Sequence, residues 1–490
     1  MKLDAFATAT DLLRALARRR VSAVELLDFH VARTERLDGK LNAIVTRDFE
    51  RARQQARAAD AARKRGKRGA LLGLPMTLKE SINVTGLKTT VGLTEFAGFV
   101  SKHDAPATTR VRAAGAIVFG KTNVPPVLAD WQSDNPVFGR TVNPWDAGRT
   151  PGGSTGGGAA AIAAGLTPLE VGSDIGGSIR VPAAFCGIYG HKPSETALPK
   201  SGQFPYLPMP NAGVVMGVQG PLARSAEDLE LALDVLAGPE VGEDVAWRLT
   251  LPPARGKRLR DFRVAVLPPI AWAPVDREIA AALETVVKRL ERAHVTVKRI
   301  QPELFGDHRA SHTLYRMLLA AVTSSRLPAD ERHRRIEMWK TREDEFGQAA
   351  LRGMEAGAAD YVGYFARREQ FRAAYRDFFR EWDVLLAPAM MVPAFPHLPK
   401  PYPPDVKELH DTLEVNGQPV LYDLGLVYPG VATLAGQPAT AFPVGLTRAG
   451  LPIGLQAIGP YLEDRTPIRF AALLAREIGG FTKPGGYDLS

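Results

Sequence analysis

Two glycine-rich segments dominate the middle of the chain: Pro-Gly-Gly-Ser-Thr-Gly-Gly-Gly at residues 151–158 and Gly-Ser-Asp-Ile-Gly-Gly-Ser-Ile-Arg at residues 172–180. Each places a serine, Ser154 or Ser178, directly after two glycines. Consecutive glycines let the backbone approach a ligand closely and adopt dihedral angles barred to other residues. An oxyanion hole needs such a backbone, because its N–H groups must converge on one developing negative charge. The pair of segments therefore predicts nucleophilic serine chemistry.

The sequence around these segments predicts an α/β fold. Between residues 71 and 193, apolar runs such as 116–119 have the pattern of buried strands, and stretches such as 109–114 have that of helices. The chain ahead of them is predicted to be helical to about residue 63, with a capping box formed by Ser22 and Glu25.

The second half of the chain continues this alternation. The patterns predict strands at 263–267 and 295–297, a helix at 276–293, an amphipathic helix with core-packing aromatic residues at 361–382, and a proline-rich loop at 393–404.

No internal repeat or composition break forces a domain boundary, so we expect one domain over residues 1–490. Within it we distinguish a helical amino-terminal region (1–70), a catalytic block (71–195) and a variable region suited to forming a substrate pocket (304–419).

Composition and charge exclude several classes of protein. The net charge of +9 comes from scattered basic residues, and the one dense run, at residues 63–68, is typical of a solvated helix end. We therefore expect neither a nucleic-acid nor a membrane partner. No secretory signal or 18-residue apolar stretch is present, and Cys186 is the single cysteine, which suits a reducing cytoplasm.

Two familiar motifs match the region but lie in the wrong context. Residues 115–122 fit GxxxxGK[ST], yet residues 116–119 are apolar and strand-forming where a phosphate-binding loop is required. Residues 152–156 fit the nucleophile elbow GxSxG, but a loop-like segment at 143–151 precedes them instead of a strand. HExxH and SxxK motifs are absent, so we expect neither a metal nor a cofactor.

The glycine-rich block and its surroundings resemble the amidase signature family. The resemblance extends over nearly the whole chain and is weakest at about 304–419. The segments that carry it are residues 139–193, with Asn-Pro-Trp-Asp at 143–146 and Arg-Val-Pro-Ala-Ala-Phe-Cys-Gly at 180–187, together with Leu-Asn-Ala-Ile-Val-Thr at 41–46, Gly-Leu-Pro-Met-Thr-Leu-Lys-Glu at 73–80 and Leu-Pro-Ile-Gly-Leu-Gln-Ala-Ile-Gly-Pro at 451–460.

The resemblance implies roles for particular residues. Ser178 would be the nucleophile, Ser154 a bridging serine preceded by a cis peptide bond, and Lys79 the base. The implied fold is a large mixed β-sheet covered by helices on both faces. The implied oxyanion hole consists of the backbone N–H groups of Ile175, Gly176, Gly177 and Ser178.

The chemistry sets a condition on Lys79. A free lysine has a pKa near ~10.4 and is protonated at neutral pH, so Lys79 must be desolvated to accept a proton. Asp174 and Arg180 flank Ser178 and are predicted to brace the loop, and Cys186 is predicted to be a buried apolar residue.

Two functions remain open. The first is a free-standing hydrolase of carboxylic amides, with esters and carbamates as further substrates. The second is an ammonia-supplying amidotransferase component of a complex that transamidates tRNA; such components usually continue past Lys-Pro-Thr with Tyr-Gly-Arg, and later carry an Asp that helps to hold glutamine. Here residues 192–194 are Lys-Pro-Ser and no Tyr-Gly-Arg follows, which favours the hydrolase.

The substrate is expected to be a neutral small molecule with an apolar or aryl part. Val181 offers no cation for a carboxylate, and aromatic residues are frequent in the variable region. A homodimer is compatible with these expectations. The predicted pocket residues are Gly153, Val181, Phe204 and Tyr206.

Overall fold

The computed structural model describes residues 3–205, 215–300, 307–325, 327–400 and 404–488. The strands in these residues are β1 (Ile44–Arg47), β2 (Pro75–Lys79), β3 (Ile117–Thr122), β4 (Asp134–Asn135), β5 (Gly139–Arg140), β6 (Leu169–Asp174), β7 (Tyr189–Lys192), β8 (Val218–Ala223), β9 (Arg263–Val266), β10 (Thr296–Arg299), β11 (Val384–Pro388), β12 (Thr412–Val415), β13 (Gln418–Leu421), β14 (Ala439–Leu446) and β15 (Pro452–Ile458).

The α-helices of the same residues lie between and around these strands. They are α1 (Ala9–Ala17), α2 (Ala23–Leu37), α3 (Phe49–Lys64), α4 (Pro106–Ala113), α5 (Gly156–Ala163), α6 (Arg180–Cys186), α7 (Ala226–Leu236), α8 (Arg277–Arg292), α9 (His308–Ser324), α10 (Ala329–Trp339), α11 (Glu345–Glu355), α12 (Ala358–Glu381), α13 (Val427–Thr433) and α14 (Arg465–Ile478). Among the described helices, none is both long and apolar enough to cross a bilayer.

Eleven strands form one mixed sheet, which confirms the predicted fold class. Its order is β1-β3-β2-β6-β8-β7-β14-β15-β11-β9-β10. β2 pairs in parallel with β3 and β6, and β11 and β10 pair in parallel with β9, while the other neighbours are antiparallel.

The central strands are buried on both faces, because helices cover the sheet on each side. Every residue of β2, β3, β6, β8 and β15 is withdrawn from solvent. Side chains alternate between the two faces of a strand, so burial of every position requires a covering layer on each face.

The amino-terminal region departs from the prediction in one respect. The capping box of Ser22 and Glu25 is present and begins α2. Residues 44–47, however, form β1, which pairs antiparallel with β3 at the edge of the sheet. A four-residue strand between two helices carries too little periodicity to be recognised locally.

Other local predictions are confirmed. The GxxxxGK[ST] stretch is mostly the buried strand β3. Residues 263–266, 277–292 and 358–381 form β9, α8 and α12, within a few residues of their predicted bounds.

The sheet also decides where the site lies. Parallel strands β2, β3 and β6 end at the same edge, and α5 and α6 begin at that edge. Lys79 is the last residue of β2, while Ser154 and Ser178 shortly precede the two helices. The topology therefore brings together groups that are distant in sequence.

Candidate active site

Lys79 is fully buried at the end of β2, with 0% of its surface exposed. Its Nζ donates to Ser154 Oγ at 2.7 Å and to Ser173 Oγ at 3.0 Å. The structure thus joins two of the three residues predicted to be catalytic and adds Ser173 as a second partner of the amine.

Burial lowers the pKa of Lys79 to about 7. Removing an ammonium from water disfavours its charged form, and the nearby carboxyls of Asp174 and Glu170 offset this only in part. Near neutral pH a large fraction of Lys79 is therefore uncharged and able to accept a proton. The condition that the chemistry placed on this residue is met.

Glu170 lies on β6 beside Lys79. Its carboxyl accepts hydrogen bonds from Thr122 Oγ1 at 2.6 Å and from Thr77 Oγ1. Burial outweighs these bonds and raises the pKa of Glu170 to about 8, so this carboxyl is mostly protonated at neutral pH. It therefore provides little negative charge to hold Lys79 in its protonated form.

The first glycine-rich segment is packed against protein backbone. A Cβ at Gly153 would overlap the carbonyl oxygen of Asp130 and lie 2.8 Å from the Cα of Trp131. The peptide bond between Gly153 and Ser154 is cis. Glycine is required here because the chain that presents Ser154 runs directly against residues 130–131, and Gly153 leaves no side chain between them.

The second glycine-rich segment is held by a buried ion pair. Asp174 and Arg180 are joined by hydrogen bonds of 3.0 and 2.9 Å. Burial alone would raise the pKa of Asp174, but the Arg180 guanidinium more than offsets burial and holds this pKa at about 2. Asp174 also accepts from the N–H groups of Gly177 at 3.0 Å and Ile179 at 3.1 Å. Asp174 and Arg180 thus brace the loop that carries Ser178, as the sequence predicts.

The carbonyl groups of residues 175–178 all accept hydrogen bonds. The donors to Ile175, Gly176, Gly177 and Ser178 are, in that order, Tyr315 Oη at 2.8 Å, Trp131 Nε1 at 3.1 Å, Val181 N–H at 2.7 Å and Thr155 N–H at 3.2 Å. The last of these bonds ties the Ser178 loop to the residue that follows Ser154.

This pattern revises the expected set of oxyanion donors. The Gly177 N–H donates to Asp174 and is therefore engaged within the loop. The predicted donors that stay are the N–H groups of Ile175, Gly176 and Ser178. Gly177 has a different part in the loop, because its φ of +93° is a conformation that favours glycine.

The predicted pocket residues have different fates. Val181 is fully buried and packs behind Gly177, so it supports the loop. Phe204 is half-buried and its N–H donates to the carbonyl of Ser81, close to Lys79 in sequence. Tyr206 lies outside the described residues.

Cys186 is buried in α6, where burial raises the pKa of its thiol and Sγ lies 3.4 Å from the Pro151 carbonyl oxygen. A thiolate nucleophile is thereby disfavoured, as predicted. Within the described ranges, no group of three His, Cys, Asp or Glu side chains is placed to hold a metal ion.

Sequence reasoning missed Tyr315 and Trp131 as partners of the loop. Trp131 carries no local signal, and Tyr315 lies 140 residues from the carbonyl it contacts. Only a hypothesis about which helix packs over the glycine-rich loop would have selected them.

An apolar cluster lies beside the same loop. Half-buried Ile175 and Leu426 pack against it, and Leu426 also approaches Gly176. The other members that line this side are Val215, Met216, Leu318, Leu319, Tyr361, Tyr364, Phe365 and Phe371.

Comparisons with known proteins agree with this geometry. The chain is 31% identical over 504 residues to a glutamyl-tRNA(Gln) amidotransferase subunit of Psychrobacter sp. (strain PRwf-1), covering 96% of each chain. It also matches a solved structure described as "An unexpected vestigial protein complex reveals the evolutionary origins of an s-triazine catabolic enzyme", with a TM-score of 0.81 and 29% identity over 97% of this chain and 99% of that one.

A third similar protein is 6-aminohexanoate cyclic dimer hydrolase, solved in complex with its substrate. The TM-score is 0.78 and the identity 25%, over 99% of this chain and 100% of that one. The profile of the family described as Amidase matches residues 25–467. The chain therefore belongs to the Amidase family, whose members are also called amidase signature enzymes.

Proposed function

We propose that this protein hydrolyses a carboxylic amide through an acyl-enzyme formed on Ser178. The observation that carries the proposal is the buried contact between Lys79 Nζ and Ser154 Oγ, 2.7 Å long, next to the braced loop that presents Ser178. A lysine with its pKa lowered to about 7 is suited to general-base work at neutral pH.

In the first step, uncharged Lys79 accepts the proton of Ser154, and Ser154 accepts the proton of Ser178. The Ser178 oxygen attacks the amide carbonyl carbon, and the carbonyl oxygen takes the negative charge. The backbone N–H groups of Ile175, Gly176 and Ser178 are the proposed donors to that oxygen.

The tetrahedral intermediate then collapses. Its C–N bond breaks, and the leaving nitrogen takes a proton that returns from Lys79 through Ser154. Water attacks the resulting ester by the same relay, releasing the carboxylic acid and restoring Ser178. The balance is one amide and one water giving one acid and one amine or ammonia, and no cofactor takes part.

The apolar cluster beside Ile175 supports a neutral substrate with an apolar or aryl part. Leu426 and Phe365 belong to this cluster and offer surface for such a group. Esters and carbamates have the same acyl chemistry and are included in the proposal. A location in the cytoplasm fits the single, buried cysteine.

The curated relatives favour a second function. Proteins named as subunits of glutamyl-tRNA(Gln) amidotransferase match at 31% to 33% identity over more than nine-tenths of this chain. By analogy, this chain would release ammonia from an amide for a partner that consumes it. The same Ser178 chemistry serves both functions, so the distinction concerns the amide and the partners.

The chemistry is tested with an alkyl fluorophosphonate and mass spectrometry of the labelled peptide. We expect the adduct on Ser178 and none on the Ser178→Ala variant. An adduct on Ser154 would instead support the nucleophile-elbow interpretation of residues 152–156 and overturn the assignment.

The two functions are separated by substrates. The purified chain is offered phenylacetamide, 4-nitroacetanilide and glutamine, with ammonia and amine release as readouts. Hydrolysis of the apolar amides by the chain alone supports the hydrolase. Ammonia release from glutamine that appears only when partner proteins are added supports the amidotransferase, and a preference for dicarboxylic monoamides would contradict the apolar pocket.

A further inference from the structure

Two aromatic side chains from distant parts of the chain donate to consecutive carbonyl groups of the Ser178 loop. Tyr315 Oη, from α9, donates to Ile175 at 2.8 Å, and Trp131 Nε1 donates to Gly176 at 3.1 Å. Tyr315 is fully buried and Trp131 is 6% exposed. Neither contact is part of a helix or a strand pairing.

A carbonyl fixed in this way also fixes the N–H of the next residue. The peptide bonds of this loop are trans, so each C=O points opposite to the N–H on the same peptide plane. Tyr315 therefore sets the direction of the Gly176 N–H, and Trp131 sets that of the Gly177 N–H, which donates to Asp174. The peptide after Gly176 is held at both ends, whereas the peptide after Ile175 is held by Tyr315.

We propose that Tyr315 and Trp131 are positioning residues that preorganise the oxyanion hole through the peptide groups of the Ser178 loop. This inference rests on the proposed function, because it assigns the Gly176 N–H to the developing oxyanion. Preorganised donors stabilise a transition state without reorganisation at the moment of reaction.

The surroundings of Tyr315 favour a fixed donor. Its ring packs on Gly430 of α13, with 3.2 Å between a ring carbon and the position a Cβ would take. Burial raises the pKa of the Tyr315 hydroxyl, so it keeps the proton that it donates. Trp131 packs on Tyr422, with 5.2 Å between the ring centroids, and its indole N–H has no ionisable proton near neutral pH.

The test compares Tyr315→Phe with Tyr375→Phe. Tyr375 is a matched control: it too is buried, and its hydroxyl donates to a backbone carbonyl, that of Val431, at 2.7 Å. The readout is the second-order rate constant for labelling of Ser178 by an alkyl fluorophosphonate, together with kcat and KM for any amide that is hydrolysed.

We expect Tyr315→Phe to slow labelling and lower kcat by roughly 10-fold to 100-fold, less than the loss of a direct oxyanion donor. KM and the apparent pKa of the pH profile should stay unchanged, because Lys79 and the pocket are untouched. Tyr375→Phe should behave as the unmodified protein. Equal labelling rates for the two variants, or a rise in KM alone, would overturn the inference.

Trp131→Phe gives an independent test if Tyr315→Phe does not fold, as judged by circular dichroism. The same loss of labelling rate with unchanged KM is expected, and an unchanged rate counts against the inference. Ser178→Ala separates the two levels of the proposal. If that variant is still labelled, the proposed function fails; if it is not labelled and Tyr315→Phe reacts at full rate, only the positioning role fails.

Discussion

Lys79 Nζ lies 2.7 Å from Ser154 Oγ, and both side chains are withdrawn from solvent. This contact joins the end of a central strand to the segment before α5. A buried amine that shares a short hydrogen bond with a hydroxyl can exchange a proton with it once the amine is uncharged. The protonation state of Lys79 and the presence of its amine should therefore both control the rate.

Activity should rise with pH through about 7. Burial lowers the pKa of Lys79 to about 7, and only its uncharged form accepts a proton, so the fraction of active protein increases as pH rises through that value. Below it, log kcat/KM should fall by one for each pH unit. Measurements of kcat/KM between pH 5 and 9 check this, and a flat profile from acid to neutral pH would contradict Lys79 as the base.

Lys79→Met should abolish hydrolysis, with kcat reduced by about 10³-fold or more, while the fold is retained. Methionine fills a similar buried space and carries no charge. Lys192→Met is the matched control, since Lys192 is also buried with its pKa lowered to about 7, but its Nζ donates to the Pro193 carbonyl. Steady-state rates and circular dichroism of both variants decide the matter; equal activity would sink the assignment.

Gly153→Ala should lower kcat by about 10²-fold, because a small displacement of a reacting group has an effect of this size. The added Cβ would overlap the carbonyl of Asp130 and push Ser154 away from Lys79. Gly39→Ala is the control, as a Cβ there meets nothing within 4 Å. Both are assayed by the rate of Ser178 labelling, and a fully active Gly153→Ala would show that the close packing is not needed.

Asp174→Asn should reduce the free energy of unfolding by roughly 3–5 kcal/mol, because it leaves the buried Arg180 guanidinium without its carboxylate. At neutral pH Asp174 is ionised, since its pKa is held at about 2, so the whole pair is lost. Asp11→Asn breaks an exposed pair with Arg14 and should leave Tm unchanged. Thermal unfolding followed by fluorescence compares them, and similar Tm values for the two variants would contradict this account.

Patterns within short stretches predicted much of the fold. The strand at 117–122 and the helix at 277–292 have hydrophobic periodicities that belong to those structures. The strand at 44–47 was missed because its partner β3 lies more than 70 residues further along the chain. Pairing across that separation is decided by the sheet, and local residue preferences do not report it.

The glycines were informative about the site for a reason that the structure modifies. Their spacing indicated a closely approached backbone, and the approach is real, but at Gly153 the neighbour is the chain at residues 130–131. At Gly177 the requirement is a positive φ together with an N–H directed to Asp174. Both glycines therefore build the site by fitting backbone to backbone.

The sequence by itself determined the pair of Gly-Gly-Ser segments, the resemblance that selected Lys79, and the acid and base, Asp174 and Arg180, that flank the second serine. Tertiary structure alone decided that Lys79 is dehydrated and that the carbonyls of Ile175 and Gly176 meet donors from remote helices and loops. The physical reason is that desolvation and hydrogen-bond direction depend on every element packed around a group, and those elements come together only when the sheet has formed.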